Sequence, residues 1–188
     1  GSVAVASLTF FTFPLLVGPL SHMLGLELLT RRKALAIIIA FAGLCLVLGG
    51  DLNLDWRGVA LAFIAGVMVG GSFIVSRPLT RDLPALTIAG FATGLPCLIY
   101  LAVGLAGTEL IFPETLKGTI GVVGNALCYA IGLACLYGSI ARLGALRTAV
   151  MMNVEPLISV AAAFFVLGQS IGPLQMAGAL IVVLGILV

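Results

Sequence analysis

The sequence predicts an all-α integral membrane protein, a polytopic helix bundle with inverted-topology repeats. Three observations support this fold class. Hydrophobic residues make up 62% of the 188 residues and charged residues only 9%, with a mean hydropathy of +1.30, a composition that would give a soluble globule an apolar surface. Seven separate segments are apolar over the length of a helix. The two ends of the chain are also weak copies of each other.

The apolar segments are bounded by charged residues, Pro or Gly, as helices in a bilayer are. They cover residues 3–26, 34–50, 58–76, 85–107, 118–140, 146–167 and 173–188. The links between them are short, which leaves no room for a domain outside the membrane with chemistry of its own. We therefore predict seven transmembrane helices.

The internal similarity relates the first two segments to the last two at an offset of 142 residues. The aligned pairs are Pro14 with Pro156, Glu27 with Gln169, Lys33 with Gln175, and Gly43 with Gly185. Equivalent segments are five crossings apart, and an odd number of crossings places the two copies in opposite orientations. Inverted-topology repeats of this kind indicate a transporter.

The cations alternate between successive loops. Seven of them fall in every second loop, namely Arg31, Arg32, Lys33, Arg77, Arg81, Arg142 and Arg147, and the intervening loops hold only Arg57 and Lys117. The positive-inside rule places the seven in the cytoplasm. The N-terminus of this chain is then external and its C-terminus cytoplasmic.

Glu155 is a carboxylate near the centre of segment 146–167, and thus near the bilayer midplane. Inserting such a group costs about 2.5–3.5 kcal/mol. One interpretation is a substrate-binding or proton-coupling group that faces a cavity. The other is a hydrogen bond that ties the helix to a neighbour beside Pro156, and the sequence leaves both open.

Other polar residues are predicted at a similar depth. Asn125 lies four residues before Tyr129 and therefore on the same helix face. Together with these two, the candidates to line a polar midplane cavity are Asn153, Ser159, Ser72 and Ser76. For any one of them taken alone, an ordinary contact between membrane helices is the favoured interpretation, and only their clustering at one depth supports a cavity.

Three prolines fall near the centres of long segments: Pro14, Pro96 and Pro156. A proline inside a helix removes one N–H donor and kinks the chain. Broken helices at the midplane are where many transporters bind substrates. Neighbouring groups also make a proline tolerable in a membrane helix without any such role.

An enzyme is the least favoured class. Residues 168–172 match the G-x-S-x-G string, but they connect two membrane segments and not a strand and a helix. The one histidine, His22, is predicted near the opposite face of the membrane. Neither a metal site nor a cofactor is predicted, and nucleic acid is not expected as a partner.

Two stretches share a pattern: a mid-helix Pro, an acidic or amide residue thirteen positions later beside a Leu-Gly pair, and then a Gly-containing apolar helix. They read FPLLVGPLSHMLGLELLTRRK at 13–33 and EPLISVAAAFFVLGQSIGPLQ at 155–175. This pattern resembles the EamA-type repeat of the drug/metabolite transporter superfamily. Two departures are that Gln169 replaces an acidic residue and that Phe13 stands where the second copy has Glu155.

The resemblance implies a domain organisation. Residues 1–50 are similar to the last two helices of a first repeat, 51–56 form an external linker, and 57–188 are similar to a complete second repeat of five helices. Members of this type have ten helices. Three N-terminal helices of the same protein are therefore expected to pack against this chain.

The resemblance also implies a function, namely a secondary transporter that exports small metabolites such as amino acids from a bacterial-type cell across its plasma membrane. Its two repeats would alternately open a midplane cavity to each side. The expected partners are the lipid bilayer and a small-molecule substrate, and a homodimer is left open. The alternatives are a non-transporting membrane scaffold or receptor and, less favoured, an intramembrane enzyme.

Overall fold

The computed structural model describes residues 3–48, 55–107, 113–168 and 170–188. All regular structure in these ranges is helical. The helices are α1 (Val3–Phe10), α2 (Phe13–Met23), α3 (Arg31–Leu48), α4 (Trp56–Asp82), α5 (Ala85–Leu105), α6 (Leu116–Leu143), α7 (Ala145–Met151), α8 (Val154–Leu167) and α9 (Pro173–Leu187). The all-α prediction is confirmed.

Five helical stretches in the described ranges are long and apolar enough to cross a membrane. They are Val5–Met23, Trp56–Asp82, Ala85–Leu105, Leu116–Leu143 and Ala145–Val166. Of the remaining helices, α3 opens with three cations and α9 has 15 residues. The fold is a polytopic membrane helix bundle. Five of the seven predicted spans are both long enough and apolar enough to cross a membrane.

The chain divides into two compact units. The first comprises Gly1–Val75 and Leu143–Val188, and the second comprises Ser76–Arg142. Most of the predicted external linker 51–56 lies outside the described residues, as does Gln169.

Two segments of the first unit that were predicted as single helices are interrupted. Segment 3–26 consists of α1 and α2 with Phe11 and Thr12 between them, and segment 146–167 consists of α7 and α8 with Met152 and Asn153 between them. The physical reason is the proline that follows each break, since its ring lacks an N–H and clashes with the preceding turn. Each proline sits at the start of the new helix, where a missing N–H costs least.

The break before α8 keeps its backbone groups satisfied. The N–H of Asn153 donates to the Val150 carbonyl at 3.1 Å, and the N–H of Glu155 donates to the Met152 carbonyl at 3.0 Å. Both are tight three-residue turns that replace the four-residue bonds of a helix. Backbone polar groups must be paired inside a membrane, so these two hydrogen bonds allow the helix to be interrupted there.

Helices α3 and α9 form the closest packing in the first unit. A Cβ atom built on Gly43 would lie 2.6 Å from the Val182 nitrogen and 2.7 Å from the Gly178 oxygen. One built on Gly185 would lie 2.6 Å from the Ala40 nitrogen and 3.1 Å from the Ala36 oxygen. We call these six residues the α3–α9 seam. Only glycine at positions 43 and 185 lets the two backbones approach so closely.

The second unit contains α5, most of α6 and the end of α4. The Arg77 guanidinium donates from Nη1 to the carbonyls of Ile140 and Ala141, at 2.9 and 3.1 Å. Carbonyls in the last turn of a helix lack helical partners and form its negative end, so a cation there is stabilising.

Helices α4 and α6 are longer than predicted. Helix α4 continues to Asp82, beyond the predicted end at 76, and α6 reaches Leu143, beyond 140. Arg77, Arg81 and Arg142 therefore lie in the final turns of helices and not in loops. The length of the loops was overestimated because a charged residue was taken to mark the end of a helix. Long cationic side chains can instead extend from the end of a membrane helix towards water.

Candidate substrate cavity

The break between α7 and α8 determines where Glu155 lies. Asn153 precedes α8, and Glu155 is the second residue of that helix, directly before Pro156. The first turn of a helix carries a partial positive charge, which favours a carboxylate there. The sequence therefore positions this acid at a helix start inside the membrane segment.

Glu155 lines a cavity of about 350 Å³ in the first unit. The polar groups around it are Ser7, Glu155, Ser159, Ser170 and Gln175, and the apolar wall includes Phe11, Leu48 and Pro156. Residues of α1, α8 and α9 thus meet around one space. A mostly apolar cavity with a few convergent polar groups is the usual form of a small-ligand site.

Two of the polar side chains in this cavity are held in place. The Ser159 hydroxyl donates to the backbone carbonyl of Glu155 at 3.0 Å. The Gln175 side chain accepts from the Gly172 N–H at 3.0 Å and donates to the Val47 carbonyl at 3.4 Å. By contrast, within the described ranges the Glu155 carboxylate has neither a hydrogen bond nor an ion pair. It is exposed to the cavity and available to a ligand.

This arrangement suits recognition of a cation or the exchange of a proton. A carboxylate next to fixed hydroxyl and amide groups binds an ammonium group by charge-assisted hydrogen bonds. Among the described residues, no three His, Cys, Asp or Glu side chains are grouped as metal ligands.

The remaining predicted site residues of the first unit lie elsewhere. Asn153 is 1% exposed, and its Oδ1 has no hydrogen-bond partner among the described residues. The Ser72 hydroxyl donates to the Val69 carbonyl at 2.7 Å, within α4. Pro14 is buried in the first turn of α2.

The other predicted site residues belong to the second unit. Tyr129 is 63% exposed and Asn125 is also exposed, both on α6. Ser76 is buried and hydrogen-bonded to Tyr137. Pro96 lies inside α5, which continues through it without interruption.

One feature that sequence reasoning missed is part of the lining of this cavity. Ser7 and Gln175 were not predicted as lining residues, although Gln175 belonged to the repeat alignment. The useful signal was the proline pair, because helix breaks at Pro14 and Pro156 bring α1 and α8 to the same space.

A second missed feature is the anchor of α7. The Glu27 carboxylate accepts a hydrogen bond from the Ala145 N–H at 2.5 Å. Gly144 makes this approach possible, since its φ is +94° and a Cβ atom there would lie 2.5 Å from Glu27 Oε1. Helix α7, the first part of the interrupted span, is thereby tied to the loop after α2.

Comparison with known proteins gives three findings. The model of the EamA-like transporter family matches residues 56–188. Among curated proteins, no relative matches the chain. A solved structure described as "Crystal structure of protein" superposes with a TM-score of 0.80 at 20% identity, covering 99% of this chain and 68% of that one. This structural likeness extends the shared fold to the residues before 56.

Proposed function

Because the chain belongs to the EamA-like transporter family, we propose that it is part of a secondary transporter that exports small metabolites such as amino acids. Its membrane-spanning helices and its family make it a multi-pass membrane protein. The proposal adds a direction, a substrate class and a site to that description. The observation that carries it is the Glu155 cavity at the start of α8.

The substrate class follows from the chemistry of this cavity. Glu155 supplies the negative charge that an ammonium group requires, and Ser7, Ser159 and Gln175 supply neutral hydrogen-bonding groups. A cavity of about 350 Å³ is in the range typical of small-molecule sites. An amino acid or a related amine fits this combination of charge and size.

The α3–α9 seam supports the inverted repeat that alternating access requires. At the offset of 142, Gly43 corresponds to Gly185, Ala36 to Gly178 and Ala40 to Val182. The contacts of Gly43 with the Val182 nitrogen and the Gly178 oxygen are therefore repeated by Gly185 with the Ala40 nitrogen and the Ala36 oxygen. A reciprocal contact of this type is what a two-fold axis between equivalent helices produces.

The helix breaks support the same relationship. The break at Phe11 and Thr12 and the break at Met152 and Asn153 coincide within a single residue when the offset is applied. Two interrupted helices in corresponding positions of two halves are typical of secondary transporters. We propose that the two repeats rock about the seam, in a bacterial-type plasma membrane with the C-terminus of this chain cytoplasmic.

The alternatives explain less of the structure. A scaffold or receptor has no need for an unpaired carboxylate facing a cavity, since such a group costs free energy in a membrane. An intramembrane hydrolase based on residues 168–172 would need a strand-to-helix elbow. The described residues of that stretch connect α8 to α9.

The test is a metabolite-efflux screen in cells that express the full-length protein, combined with two bulky variants. Ser159→Phe fills the cavity, whereas Ile158→Phe adds the same ring at the neighbouring position, which is 63% exposed and is not a lining residue. We expect efflux of an amine-bearing metabolite that Ser159→Phe abolishes and Ile158→Phe retains, at equal membrane expression. Equal efflux by both variants would place the transport path elsewhere.

A further inference from the structure

We propose that a second cavity of the first unit binds the phosphate headgroup of an anionic phospholipid. This cavity has a volume of about 460 Å³ and is separate from the Glu155 cavity in its lining. It lies between the start of α3, the start of α7 and the end of α9. The inference concerns lipid binding and does not depend on the proposed substrate.

The charged side chains that line this cavity are all cationic. They belong to Arg32, Lys33 and Arg147, and none of the described lining residues is an Asp or a Glu. The Lys33 ammonium donates to the Leu28 carbonyl at 3.0 Å. In the part of the chain that the structure describes, the guanidinium groups of Arg32 and Arg147 have no hydrogen-bond or ion-pair partner. Two arginines that line one cavity are suited to a phosphate, which guanidinium groups bind through paired N–H donors.

The backbone adds to this positive potential. Arg32 and Lys33 are in the first turn of α3, a helix of 18 residues, and Thr30 before them also lines the cavity. The amino end of a helix carries a partial positive charge. An anion in this cavity is therefore attracted by both the side chains and the helix.

The opposite wall of the cavity is apolar. It includes Leu146 and Val150, which are buried, and Met151, which is 47% exposed. A free phosphate or a sugar phosphate would leave this wall in contact with water. An acyl chain would cover the exposed part of this wall and so remove apolar surface from water. The combination of a cationic end and an apolar wall thus favours a lipid over a soluble phosphate.

The predicted topology places the cavity where such lipids are found. Arg32, Lys33 and Arg147 belong to two of the sequence regions that the positive-inside rule assigns to the cytoplasm, and in the structure the starts of α3 and α7 carry them to one cavity. Anionic lipids enrich the cytoplasmic leaflet, and basic pockets between membrane helices bind their headgroups.

The experiment is native mass spectrometry of the purified full-length protein after equilibration with phosphatidylglycerol and phosphatidylcholine in equal amounts. We expect one phosphatidylglycerol to be retained in preference to phosphatidylcholine. The double variant Arg32→Gln/Arg147→Gln should lower its retention roughly 25-fold, because each cation near an anionic lipid contributes about fivefold. The matched control is Arg81→Gln/Arg142→Gln, which removes two cations from the same predicted face but outside the cavity lining.

Three outcomes would overturn the proposal: equal retention of the two lipids, an equal loss in the control, or displacement by millimolar glycerol phosphate. The last outcome would indicate a site for a soluble phosphate. A second variant, Met151→Trp, keeps all the cations and fills the apolar wall, so it should also reduce lipid retention. Met151→Trp tests lipid binding if the charge variant fails to fold. Folding is judged from the thermal transition and from elution in size-exclusion chromatography.

Discussion

Gly43 and Gly178 contact each other through their backbones, and the contact is reciprocal. A Cβ atom on Gly43 would lie 2.7 Å from the Gly178 oxygen, and one on Gly178 would lie 2.7 Å from the Gly43 oxygen. Side chains are therefore excluded from between α3 and α9 at this point. The stability of the pair depends on the absence of two Cβ atoms more than on any side-chain contact.

We expect Gly178→Ala to destabilise the protein by about 1–3 kcal/mol, because the new methyl group would overlap rigid backbone atoms of α3. The measurement is the thermal transition of the purified protein in detergent. Gly71→Ala is the matched control. A Cβ atom at this position would have no atom of the described residues within 4 Å. The control should be neutral or slightly stabilising. Equal transitions in the two variants would contradict the close packing.

Glu27→Ala should cost about 0.5–2 kcal/mol of stability, because the Ala145 N–H at the start of α7 would lose its acceptor. Glu27→Gln keeps an acceptor oxygen and should lose less. The control is Glu114→Ala, which removes an exposed carboxylate before α6. A Glu27→Ala protein as stable as the control would show that the hydrogen bond contributes nothing to the anchor of α7.

Glu155→Gln is expected to raise the KM for an amine-bearing substrate roughly tenfold while the protein still reaches the membrane, because a charge-assisted hydrogen bond is replaced by a neutral one. If the residue also couples protons, the variant should lose its dependence of transport on pH between about 5 and 8. Transport rates and expression are compared with those of Glu114→Gln. Unchanged kinetics across that pH range would favour the purely structural interpretation of Glu155.

Cysteine-accessibility labelling should find positions beside Arg32, Arg81 and Arg142 cytoplasmic, and positions beside Asp55 and Glu114 external. The reason is the asymmetry of the cations, seven against two. Cys45, Cys97, Cys128 and Cys135 are all exposed, so they must be replaced first. Reversed labelling at any two of these loops would contradict the topology.

The sequence predicted the helical class and the order of the elements because both follow from the length and apolarity of segments. It did not predict that segments 3–26 and 146–167 each contain two helices. Pro14 and Pro156 indicated a kink, but a proline inside a membrane helix is compatible with either a bend or a break. Pro96 shows the other outcome, since α5 continues through it.

The candidate site was predicted in part. Glu155, Pro156 and Ser159 lie on one short stretch of a helix, so their meeting at one cavity depends on local structure alone. Ser7 and Gln175 reach the same cavity from distant parts of the chain. Asn153 and Ser159 have similar depth along the sequence, yet one is buried and the other faces a cavity. The depth of a residue in the membrane can be estimated from its position in the segment. Whether its side chain faces a cavity or a neighbouring helix depends on tertiary packing.

The α3–α9 seam has a practical use for spectroscopy. Because backbone atoms meet there without intervening side chains, sliding one helix along the other would drive Gly43 and Gly185 into the opposing carbonyls. If the two repeats rock about the seam as proposed, we expect the separation of the two helices at the seam to stay constant. Spin labels at the exposed positions Ile38 and Leu184 would report a constant distance in every state. Any changed distance from either label to a third site can then be assigned to movement of that third site.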